Sequence, residues 1–117
     1  MFRVQQFHDV SVIDADGELS RHNMHVLENV LKHLAESDRR NVILNFEGLK
    51  HLDYRLVQRL AERIIEFQCD GGDLKVANVS RYVRSILEAM GLEEEMYVSL
   101  EEALLSFIQE GSNDCAQ

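Results

Sequence analysis

The chain has 117 residues, 45% of them hydrophobic, which is enough for one domain with its own core and too short for two. A formal net charge of −9 argues against a nucleic-acid backbone or an anionic membrane surface as the main partner, since both repel such a chain at long range. No apolar stretch approaches the roughly 18 residues of a membrane span, and the N-terminal MFRVQQFHDV lacks a signal-peptide core, so a cytoplasmic protein is expected.

In chain order, apolar residues at 2, 4 and 7 and then at 10, 12 and 13 predict two strands with a break near His8 and Asp9. Ala15, Asp16 and Gly17 form a turn, Glu18 and Leu19 continue the second strand, and Ser20 is a candidate helix cap. Met24, Leu27, Val30, Leu31 and Leu34 line one face of a helix over residues 23–36, with Glu28 and Lys32 in the favourable i, i+4 order. Val42, Ile43, Leu44 and Phe46 form a run without alternation, as in a central strand covered on both faces. A polar turn follows. Asp53 then stands at the N-cap of a second helix, whose face is Leu56, Val57, Leu60, Ala61, Ile64 and Ile65.

Gly71 and Gly72 end that helix, and residues 74–79 predict a strand. Ser80 caps a third helix with Tyr82, Val83, Ile86, Leu87 and Met90 on its apolar face, stopped by Gly91. Residues 96–98 predict a brief last strand. The capping box Ser99-Leu100-Glu101-Glu102 opens a fourth helix through about Gln109. Residues 1–110 are expected as a single domain, with residues 111–117 a disordered polar tail. The order β-β-α-β-α-β-α-β-α predicts an α/β fold with a mostly parallel sheet, an N-terminal strand pair free to be antiparallel, and about four helices.

Little in the chain points to catalysis or to a cofactor. It has no Gly-x-Gly-x-x-Gly, no Walker loop and no His-Glu-x-x-His. His22 and His25 are one helical turn apart, but no third ligand completes a metal site, so neither metal nor cofactor is expected. His51 lies within reach of Asp53. Cys69 and Cys115, without Cys-x-x-Cys spacing, are expected as free thiols.

Four segments, VILNFEGLKHLD, GGDLKVANV, VRSILEAMGL and YVSLEEALLSF, occur in the order and spacing of a known family. The chain resembles the STAS domains, whose best-known members are anti-sigma factor antagonists of bacterial regulatory switches. That resemblance implies a STAS-like sheet and a regulatory module that docks a protein partner through the start of its second helix. It also implies a phosphorylatable serine or threonine after the aspartate. Tyr54 stands there instead, followed by Arg55 and Leu56. A tyrosine hydroxyl sits at the far end of a rigid ring, out of line with a kinase site shaped for serine, so the switch is expected to be lost or replaced.

Arg55, Arg59 and Arg63 recur every fourth residue on the second helix, and Arg81 and Arg84 sit on the third. One reading is a solvated face in which Glu62 and Glu66 pair with Arg59 and Arg63. The other is a docking surface made of Asp53, Tyr54, Arg55, Gln58, Arg59, Arg63, Arg81 and Arg84, rich in residue types found at binding hot spots. The partners implied are an anti-sigma factor, a kinase-like regulator or a transporter component, with a homodimer also open. The alternatives are a STAS subunit of a transporter-associated assembly and a small-anion or ligand-binding domain.

Overall fold

The run Val42-Ile43-Leu44 lacks alternation because its strand lies mid-sheet, with a core on each side. The computed structural model describes residues 2–92 and 95–115, with side-chain surroundings through residue 108. Among these, five strands form one sheet: β1 (Phe2–Phe7), β2 (Val10–Ala15), β4 (Asn41–Asn45), β6 (Asp73–Ala77) and β7 (Met96–Tyr97), in the order β1-β2-β4-β6-β7. Only the β1–β2 hairpin is antiparallel; β2, β4, β6 and β7 pair in parallel. Four α-helices accompany it: α1 (Met24–Glu36), α2 (Val57–Cys69), α3 (Arg81–Ala89) and α4 (Leu100–Cys115).

Each crossover from β2 to β4, β6 and β7 steps one strand the same way, so right-handed connections deliver α1, α2 and α3 to one face. There Leu27 and Leu31, Leu60 and Ile64, and Val83 and Leu87 pack with Ile13, Val42, Leu44, Leu74 and Val76. Ile43, Val10, Val12 and Ala77 point the other way, onto Ala103 and Phe107 of α4.

Several expectations are corrected. Glu18 and Leu19 do not continue β2: Gly17, at φ +85°, turns the chain into a separate strand β3 (Gly17–Leu19), which pairs in parallel with β5 (Leu49–Leu52). The supposed polar turn after β4 is therefore partly strand, with Leu49 and Leu52 buried and Lys50 and His51 outside. Ser20 is not the cap of α1, which starts from Asn23; the Asn23 side-chain oxygen accepts the Ser20 N–H at 2.8 Å. The fourth helix runs on to Cys115, past the end expected near Gln109, and of the expected tail residues 116–117 lie outside the described residues. Ser80 and Ser99 do cap α3 and α4, accepting the Val83 and Glu102 N–H groups at 3.2 Å each.

The two glycines after α2 act differently. Gly71, at φ +84°, closes the helix, and the Gly72 N–H donates to the Phe67 carbonyl at 2.9 Å. A Cβ on Gly72 would overlap the Arg40 carbonyl, which is fixed by the Asp73 N–H at 2.9 Å. Gly72→Ala is expected to lower stability by about 1–3 kcal/mol, read from urea unfolding; an unchanged midpoint would contradict this packing.

Lys75 of β6 went unnoticed in the sequence because a strand tolerates lysine on a wet face. Here that face meets α4, and the side chain is 2% exposed. Its Nζ donates to Ser106 Oγ at 2.7 Å and lies 4.1 Å from the Phe107 ring centre and 5.3 Å from that of Tyr97. Nearby, Glu95 packs beside Asp73, and burial followed by this second carboxyl pushes its pKa up to about 7. A carboxyl whose folded pKa is raised binds its proton more tightly in the folded chain. Its contribution is complete below about pH 4.5 and is lost as pH rises through about 7. Glu95→Gln is expected to remove that downward slope in thermal melts between those pH values; an unaltered slope would refute the assignment.

Candidate functional site

The mini-sheet of β3 and β5 carries the chain from β4 to the start of α2, where the Asp53 N–H donates to the Leu19 carbonyl at 2.9 Å. Asp53 has extended backbone angles, and its carboxylate accepts the Arg55 N–H at 3.0 Å. The cap expected at Asp53 is thus formed, with one difference. Residues Tyr54–Leu56 make a single 3₁₀ turn before the α-helix proper begins at Val57.

Arg55 folds back onto its own cap. Its Nε and Nη2 donate to the two Asp53 carboxylate oxygens at 3.1 and 3.0 Å. The Arg55 side-chain hydrogen bonds, with its backbone N–H next, hold the Asp53 carboxyl below the usual carboxylate range. The same pairing raises the Arg55 pKa, while two-thirds of its side chain remains in water.

With the cap closed by a short-range fork, the ring of Tyr54 is left pointing outward, 67% exposed. It borders an open apolar groove of about 490 Å³ between the first turn of α2 and the outer face of α3. Val57, Tyr82, Ser85, Ile86, Ala89 and Met90 line the rest. Two of these residues refine the sequence reading. Tyr82 and Met90, expected on the apolar face of the third helix beside Val83 and Leu87, are 51% and 46% exposed, because α3 buries only Val83 and Leu87 against the sheet. Helical spacing shows that residues share a stripe, not how wide the covered stripe is. His51 contributes only a minor lowering of the Asp53 pKa; its ring stacks on Tyr82 with centroids 6.3 Å apart.

The arginine stripe divides. Arg59 and Arg63 both bind Glu28 of α1, Arg63 at 2.9 Å, and Arg63 also pairs with Glu66 at 3.0 Å. Glu28, expected beside Lys32, is 17% exposed between these guanidiniums and ties α1 to α2. Arg59 therefore goes to Glu28, where Glu62 was expected. Gln58 is exposed on the first turn of α2. On α3, Arg84 lies 3.7 Å from Glu88, and Arg81 is exposed at the helix start. Of the candidate docking residues, Tyr54 lines the groove, whereas Arg59 and Arg63 are engaged with Glu28 of α1. Among the described residues, no group of three or more His, Cys, Asp or Glu side chains is placed to hold a metal ion, and no helix is long and apolar enough to cross a membrane.

Residues 1–104 match the STAS domain family, so nearly the whole chain, from the hairpin through the first turn of α4, is accounted for. The chain is a STAS domain. Its fold is shared with a candidate anti-sigma factor antagonist of Thermotoga maritima, at 17% identity and a TM-score of 0.81 over 90% of this chain and 92% of that one. The phosphorylated form of the Bacillus cell fate determinant SpoIIAA superposes at 24% identity and 0.75, covering 92% of this STAS domain and 99% of SpoIIAA. The murine anion transporter Slc26a9 contains a similar part, at 19% identity and 0.69, covering 91% of this chain but 18% of the transporter. No curated protein sequence matches this STAS domain significantly.

Proposed function

We propose that this STAS domain is a regulatory protein-binding module, acting in the cytoplasm of a bacterium, that docks a protein partner through the N-terminal end of α2 without a serine phosphorylation switch. Its role in this reading is binding, not catalysis. The observation that carries it is the position of Tyr54, exposed on the 3₁₀ turn at the mouth of an apolar groove. A large ring held in water beside further exposed apolar side chains forms a contiguous patch of the kind that marks an interaction site. The likeness to anti-sigma factor antagonists supports an anti-sigma factor or kinase-like regulator as the partner class.

The likeness to a part of Slc26a9 supports a second reading, a STAS component of a transporter assembly that uses the same surface. A small-anion site at the start of α2 fits less well. The Asp53 carboxylate already occupies that helix terminus and would repel an anion there.

The test is co-purification of the chain from its native cytoplasm, with the intact mass measured after incubation with a cognate serine kinase. A stable protein partner is expected, bound to a chain that carries no added phosphate at Tyr54. Stoichiometric phosphate on Tyr54 would contradict the loss of the switch.

A further inference from the structure

The five-stranded sheet ends in two unlike edges. At one, β7 is two residues long; at the other, β1 presents six residues whose pairing with β2 runs without a register shift. The two-residue turn of His8 and Asp9 closes on the pair of Phe7 and Val10, which in so short a hairpin exchanges both backbone hydrogen bonds. Antiparallel alternation then gives the backbone groups of Arg3, Gln5 and Phe7 to β2 and turns those of Phe2, Val4 and Gln6 outward. Among the described residues, none of these outward groups has a backbone partner, and Arg3 through Phe7 are exposed. Arg39 reaches the strand, but it donates to the Gln6 side chain at 3.1 Å and leaves the main chain open. Open edges are ordinarily blunted by lysine, proline or a bulge, and β1 has none of these.

Such an edge takes another extended strand, and its residues suit a second copy of itself. We propose that the chain self-associates by antiparallel pairing of β1 with β1 of a second copy, about a two-fold axis at Val4. That axis is the register that pairs all three outward residues, Phe2 opposite Gln6 and Val4 opposite the Val4 of the second copy, while Arg3 falls opposite Gln5 and no like charges meet. Val4, 44% exposed on the face it shares with Ile13, gains an apolar neighbour there. Charge favours the same place. Two chains of formal charge −9 repel at long range, but residues 2–7 hold Arg3 and no carboxylate, and Asp14 and Asp16 lie 3.9 and 3.8 Å from its guanidinium. A pairing of five residues is small beside the roughly 1,200 Å² of a stable interface, so the dimer is expected to be reversible. β1 lies across the sheet from β6 and β7, which α3 connects, so the groove beside Tyr54 stays open and the proposal is independent of the docking reading.

Sedimentation equilibrium of the full chain between about 10 μM and about 1 mM tests this. The weight-average mass is expected to rise from 13.5 kDa toward twice that value, more steeply at about 0.5 M than at about 0.05 M salt, because salt screens the repulsion between two acidic chains. Residue-resolved amide exchange by NMR locates the contact: the Val4 and Gln6 amides should slow as concentration rises, while those of Gln5 and Phe7, already bonded to β2, should hardly change. Val4→Pro removes an N–H that β2 does not use, so it should abolish the rise in mass with a thermal melt near that of the parent. Val4→Lys opposes two ammonium groups on the axis and should have the same effect, although it lowers the net charge. A mass that stays monomeric at every concentration, a dimer that survives both variants, or a dimer in which Val4 and Gln6 exchange as in the monomer would overturn the proposal.

Discussion

Leu60→Ala is expected to cost about 2–5 kcal/mol of folding stability. Leu60 is fully buried at the middle of the α2 face, within the core that α1, α2 and α3 share against the sheet. Its removal takes away the transfer free energy of three carbons and leaves a cavity that the flanking β4 and β6 side chains cannot easily fill. The helix ends resist collapse: α2 is tied at its start through the Asp53 cap and along its flank through Arg59 and Arg63 to Glu28. Urea unfolding of the variant should show a lower midpoint with an unchanged slope, because the exposed area on unfolding hardly changes. A midpoint equal to that of the parent would mean that α2 is not packed on the sheet through this residue.

Tyr54→Ala is expected to do the reverse, weakening partner binding by about 1–3 kcal/mol while leaving folding nearly untouched. The ring is two-thirds exposed in the free chain, so truncation removes little packing. The cap beneath it uses Asp53 and Arg55 and does not involve the Tyr54 side chain. A substitution at Arg59 would be a poor substitute for this experiment. Arg59→Glu would place a carboxylate against Glu28 and disturb the α1–α2 contact, confounding binding with stability. Isothermal titration of the partner against Tyr54→Ala, with melts in parallel, reads the two effects separately. Parent-like affinity would remove Tyr54 from the interface.

These contrasts show which parts of the molecule the residue pattern reveals. Val42, Ile43 and Leu44 announced a doubly covered central strand, because loss of alternation has few other causes in so short a run. Asp53 was legible as a cap for an equally local reason, a carboxylate just ahead of an amphipathic helix. The β3–β5 ladder was not legible, since Gly17–Leu19 and Leu49–Leu52 are too short for periodicity and are paired by a contact distant in sequence. Lys75 and Glu28 were missed for a related reason. Each is ordinary on its own element, and only the arrival of α4 or of α2 takes it out of water. The groove itself was half visible: the pattern placed Tyr82 and Met90 on the apolar stripe of α3 without fixing how much of that stripe is covered. The width of α3's contact with the sheet, a tertiary quantity, decides that they remain outside.

The central claim is that a partner protein sits on the start of α2 and the outer face of α3. Amide hydrogen exchange of the full chain, free and saturated with its co-purified partner, tests it most directly. Added protection is predicted in residues 51–58 and 81–90, with β1 and α4 exchanging as in the free chain. Protection confined to β1 or α4, with residues 51–58 unchanged, would contradict the account.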